Sequence, residues 1–137
     1  MGKAKEIVAL CEAIEEHNLN LSIVLDFPQL FTAENIDPIK FKSEKYLAAV
    51  RAIDPWKTYV EGIHIWEKKK SATSRWVALA GNWNTYFGGS DEVKELFLSG
   101  IRQLCNDGSV RFWVPEVNTG SEDLASIIHD LNVVFSK

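Results

Sequence analysis

Apolar positions along the chain fall into two alternating kinds of segment, one with helical spacing and one continuous. Residues 3 to 17 carry Ile7, Leu10, Cys11 and Ile14 at i, i+3, i+4 and i+7, with Lys3, Lys5, Glu12, Glu15 and Glu16 on the other face, which predicts an amphipathic helix ending near His17-Asn18. The run Leu21-Ser-Ile-Val-Leu-Asp-Phe-Pro-Gln-Leu-Phe31 reads as a buried strand with Asp26 at its C-terminal end, stopped by Pro28. Asp37 then caps an expected helix with Pro38 in its first turn and a stripe of Tyr46, Leu47, Val50 and Ile53. Asp54-Pro55 closes that helix, because a residue before proline is pushed out of the helical region. Tyr59 to Trp66 reads as a second strand and Val110 to Val117 as a third. Between them, Ser90 caps a helix whose buried face is Val93, Leu96, Phe97, Ile101 and Leu104, ended by Asn106-Asp107-Gly108. Ser121 caps a last helix with Leu124, Ile127, Ile128 and Leu131.

Helices separating the three strands impose parallel pairing, since parallel neighbours need a long crossover. The expected fold is therefore α/β, with three parallel strands alternating with helices. The opening helix has no strand before it, which suits the end of a longer strand-helix series; the closed form of that series has eight strands. The expectation is one domain over residues 1–137, a partial (β/α) barrel of the TIM type. Two open sheet edges then predict self-association or a partner that supplies further strands.

Residues 67 to 89 form the longest stretch without periodicity, with Lys68 to Lys70 followed by Arg75, Trp76, Trp83, Tyr86 and Phe87. A loop of this length in a compact domain is functional or disordered, and its aromatic content argues against disorder. The chain of 137 residues is 46% hydrophobic and 25% charged, which is globular composition. A formal charge of −4 excludes a polyanion-binding surface spread over the whole protein and leaves only a local basic loop. Cys11 and Cys105 lie in helical patterns without a CxxC partner, so a reducing, cytoplasmic setting is expected. Neither an apolar leader nor a membrane-length apolar run is present.

Each strand delivers one metal-capable side chain to its far end: Asp26, His64 and Glu116. In parallel α/β sheets the functional rim lies at those ends. Carboxylates and a neutral imidazole suit zinc or manganese. The same residues also have plain structural readings, Asp26 as a turn cap, His64 as a core histidine and Glu116 as a solvated strand end. Lys68 to Lys70 could be a solvated run.

The segments Leu25-Asp-Phe-Pro-Gln29, Gly62-Ile-His-Ile-Trp66 and Val114-Pro-Glu-Val-Asn118 resemble the last three strands of xylose-isomerase-like barrels. That superfamily includes sugar phosphate isomerases and epimerases, and apurinic/apyrimidinic endonucleases with trinuclear zinc. The resemblance runs from about residue 20 onward and implies that Asp26, His64 and Glu116 are metal ligands. It also departs from the endonuclease pattern: Gln29 stands where a histidine of Asp-x-x-His belongs, and Ser74-Arg-Trp76 where Asp-x-His belongs. The implied function is a metal-dependent isomerase or epimerase acting on a sugar or sugar phosphate, incomplete as an isolated chain. Arg75, Lys68, Trp83 and Tyr86 would then contact the substrate. The alternatives are an endonuclease-like phosphodiesterase fragment acting on nucleic acid and a non-catalytic remnant or subunit; the implied partner is an N-terminal barrel half or a second copy.

Overall fold

The computed structural model describes residues 2–70, 76–79, 82–116 and 121–136, with residues 66–70, 76–79, 116 and 134 as backbone alone. In chain order the elements are α1 (Ala4–Glu16), β1 (Ile23–Asp26), α2 (Phe27–Glu34), α3 (Ser43–Ile53), a 3-10 segment (Asp54–Tyr59), β2 (Val60–Lys70), β3 (Trp76–Leu79), α4 (Trp83–Tyr86), α5 (Asp91–Cys105), β4 (Phe112–Glu116) and α6 (Ser121–Phe135). Strand β2 is central and pairs in parallel with β1 on one side and with β4 on the other. The expected α/β class and the three parallel strands are both present.

The register sorts the sheet into two unlike faces. Leu25, Ile63 and Trp113 align across the three strands, as do Val24, Gly62 and Phe112, and then Asp26, His64 and Val114. The first row faces the helices, and Leu25, Ile63 and Ile65 are buried there in one core with Ile14, Phe31, Val50 and Ile101. The other two rows lie on a face that the described residues leave open, where Val24, Phe112 and Val114 are 51%, 43% and 43% exposed. The Phe112 ring lies across Gly62, where any Cβ would overlap it. Parallel sheets are ordinarily covered on both faces, so this arrangement is unusual.

Three expectations change. The run from Leu21 to Phe31 is not one strand: β1 stops at Asp26 and the chain turns directly into α2. Phe27, Leu30 and Phe31 stand at i, i+3 and i+4 and are all buried, a helical pattern hidden inside a continuous apolar run. Asp37 caps a turn, its Oδ1 accepting the amides of Ile39 at 2.9 Å and Lys40 at 3.3 Å, while α3 starts only at Ser43. The stretch from Glu67 is not an irregular loop throughout. Residues 67–70 extend β2 and pair antiparallel with β3, Lys68 opposite Ala78. A ladder needs only backbone groups, so a run of lysines does not prevent the pairing.

The helical layer is held by an aromatic cluster. Phe31 lies within 5.8 to 6.5 Å, centroid to centroid, of Phe41, Tyr46, Tyr86, Phe87 and Phe97. Each such ring contributes roughly 1.5–3 kcal/mol by leaving water. Tyr46 is fully buried and its hydroxyl donates to the Phe97 carbonyl at 2.7 Å, which ties α3 to α5. The Ala4 amide donates to Glu34 Oε1 at 2.7 Å and fixes the start of α1 against the end of α2.

Candidate metal centre

The site begins with the passage from β1 to α2. Asp26 is the last residue of the strand and the N-cap of the helix, with Pro28 in the helix's first turn. Its Oδ1 accepts the Gln29 amide at 2.9 Å, which satisfies a free amide of the helix start and fixes the orientation of the carboxylate. Parallel pairing sets His64 of β2 beside it in register. Asp26 Oδ2 stands 3.3 Å from His64 Nδ1, and both side chains are 27% exposed. Val114 occupies the same row on β4, and Glu116 lies two residues further along, opposite Trp66.

A metal ion fits the donor chemistry of the described part of this rim. Two donors each about 2.0–2.1 Å from a tetrahedral zinc stand roughly 3.3 Å apart, the separation found between Asp26 Oδ2 and His64 Nδ1. Oδ1 is engaged by the helix amide, and Oδ2 is the Asp26 oxygen nearer His64. Among the described residues no group of three or more His, Cys, Asp or Glu gathers closely enough to hold an ion. The described donors therefore number two, and the side chain of Glu116, the third expected ligand, lies outside the described residues.

The other residues singled out in the sequence are placed as follows. Arg75 and Ser74 lie outside the described residues, and Lys68 is described only as backbone in the β2–β3 hairpin. Trp83 and Tyr86 are corrections to the expected loop: they form α4 and are 2% and 5% exposed. Trp83 meets Phe97 edge-on at 5.6 Å, and Tyr86 stacks on Phe31, so both rings pack in the core. Cys11 and Cys105 are buried free thiols, and burial pushes the Cys105 thiol up to about 12 and raises Cys11 as well, which suits them poorly to nucleophilic or ligand chemistry. His17 and His129 are exposed and lie away from the rim.

Two features of the site were not anticipated from sequence. The capping of α2 by Asp26 had a signal in Asp26-Phe-Pro28, the pairing of an acidic cap with an early proline that was assigned instead to Asp37-Pro38. The apolar surface beside the rim, formed by Val24, Phe112 and Val114, had none, because aliphatic and aromatic residues in parallel strands normally signal burial on both faces. No protein-family model matches the chain, and neither a curated protein nor a solved structure shows significant similarity to it.

Proposed function

We propose that this chain is part of a metal-dependent isomerase or epimerase acting on a sugar or sugar phosphate, with Asp26, His64 and Glu116 forming one side of the metal centre in a partial (β/α) barrel. The observation that carries the reading is the 3.3 Å approach of Asp26 Oδ2, at the C-terminal end of β1, to His64 Nδ1 on the parallel part of β2 beside it. Helices packed on one sheet face, with the opposite face open, add support, since a barrel wall has its helices outside and its strand side chains facing the interior. In this reading Asp26 brings one anionic oxygen already oriented by the start of α2, and His64 brings a neutral nitrogen. A bound zinc or manganese ion would supply Lewis acidity toward a carbonyl or hydroxyl oxygen of the sugar. Cleavage of a phosphodiester in the resembled endonucleases uses several metals together, and this chain carries Gln29 and Ser74-Arg-Trp76 where that pattern has ligands, so we favour sugar chemistry over abasic DNA. Calorimetry with zinc and with manganese tests the reading. The expected result is weak binding of at most one ion per chain, abolished by His64→Ala and weakened by Glu116→Gln. Heats that are the same for all three proteins would remove the rim from any metal chemistry.

A further inference from the structure

Both outer edges of the parallel sheet carry the same unfinished packing unit, a helix poised beside an edge strand over a vacant slot. Beside β1, Ile7 and Leu10 of α1 face Ile23, Val24 and Leu25 across a cavity of about 180 Å³ that wraps from one sheet face to the other. Beside β4, Ile128, Leu131 and Phe135 of α6 face Trp113 and Pro115 across a cavity of about 350 Å³. Among the described residues β1 and β4 each pair only with β2, so their outward edges meet no other strand. In a β/α layer, each helix covers the groove between two neighbouring strands. Each slot thus already has its helix and lacks its second strand.

From this we infer the kind of partner that the surface accepts: a β/α polypeptide that presents a bare parallel strand, without a covering helix, at each of its two seams. One strand would pair with β1 beneath α1 and the other with β4 beneath α6, and the partner's inward side chains would cover Val24, Phe112 and Val114. The inference rests on the partial-barrel part of the proposed function and on none of its chemistry. A second copy of this chain does not meet the requirement. Joining β1 of one copy to β4 of another would bring α1 and α6 over the same seam, two helices where one fits. Stacking two copies face to face would cover Val24, Phe112 and Val114 but would leave the outward edges of β1 and β4 without a strand and both slots unfilled.

The test mixes the full chain in trans with a designed β/α fragment that begins and ends in a parallel strand, and separately with the same fragment carrying a helix beyond each terminal strand. Sedimentation gives the stoichiometry, and hydrogen exchange reads the backbone amides of Ile23–Asp26 and of β4. The expected result is a one-to-one complex with the bare-ended fragment, slowed exchange at both edges by tenfold or more, and no complex with the helix-ended one. Val24→Asp, at an exposed position, should leave the circular dichroism of the chain alone unchanged and abolish the complex. A closed dimer of the chain alone with both edges protected would overturn the inference. So would equal binding of the two fragments, binding of neither, or a complex that survives Val24→Asp. These readouts use no metal, so absence of zinc or manganese binding would not touch them and absence of the complex would not touch the metal calorimetry, which separates failure of this inference from failure of the proposed chemistry.

Discussion

Among the described residues Asp26 meets one partner with each carboxylate oxygen, and substitutions can separate the two. Oδ1 caps α2 through the Gln29 amide at 2.9 Å, and Oδ2 faces His64 Nδ1 at 3.3 Å. Asp26→Ala removes both. Loss of an N-cap side chain costs about 1 kcal/mol, and the partly exposed approach to His64 adds about 0.5 kcal/mol at most. For a chain of this length, about 1 kcal/mol lowers the melting temperature by roughly 4 °C. Asp26→Ser retains a capping oxygen, because serine and aspartate are near-equal N-caps, and should stay within about 0.5 kcal/mol of the parent. Serine lacks the second, anionic oxygen, so its zinc heat should vanish as completely as that of Asp26→Ala. The assay is urea unfolding followed by circular dichroism in the presence of chelator, paired with zinc calorimetry on each protein. Serine as destabilising as alanine would refute the capping argument. Zinc heat that persists in Asp26→Ala would refute the assignment of Oδ2 as a ligand.

Gly100 in α5 sits against Tyr46, where an added Cβ would lie 2.7 Å from Cζ and 2.8 Å from Cε1 of the ring. Gly100→Ala gains up to about 1 kcal/mol of helix propensity and loses about 1–3 kcal/mol or more to overpacking, so urea unfolding should show a net loss; a more stable variant would refute the close contact. Tyr46→Phe forfeits the hydroxyl's bond to the Phe97 carbonyl, about 1 kcal/mol, and the double variant should lose less than the sum of the two single losses, because removing the hydroxyl relieves part of the crowding while the ring carbons keep the rest. Burial first, and the nearby Cys105 second, push the Tyr46 phenol well above its usual range. Its stabilising contribution is therefore fully present below about pH 10, the unfolded value, and is lost as pH rises from there through the folded value. Alkaline unfolding curves of the parent should fall in this window, and Tyr46→Phe should flatten them; parallel curves would exclude Tyr46 as a source of the pH dependence.

Much of the helical layer is legible because its signals are local. Ser90 accepts the Val93 amide at 3.3 Å as an N-cap should, and α5 ends at Cys105 before Gly108 in the left-handed region, as Asn106-Asp107-Gly108 implies. The stripe Tyr46, Val50 and Ile53 is buried as its spacing requires. The misreadings share a cause. Phe27, Leu30 and Phe31 continue an apolar run begun by β1, and periodicity cannot divide strand from helix inside such a run; the division depends on Asp26 capping α2. Residues 67–70 and 76–79 carry no alternating pattern, because a hairpin beyond the core is specified by its backbone ladder.

The sequence by itself determined the α/β alternation, the three parallel strands and the places of Asp26 and Glu116 as the last residues of β1 and β4, since each follows from the spacing of residues near in the chain; the run of β2 past His64 to Lys70 did not follow from it. Tertiary structure decided that Asp26 and His64 approach within 3.3 Å, that Trp83 and Tyr86 belong to the core, and that one face of the sheet is left open by the described residues, with a cavity at each edge. Those outcomes depend on strand register and on which helix covers which groove. Both are set by packing between segments distant in sequence, where local periodicity carries no information.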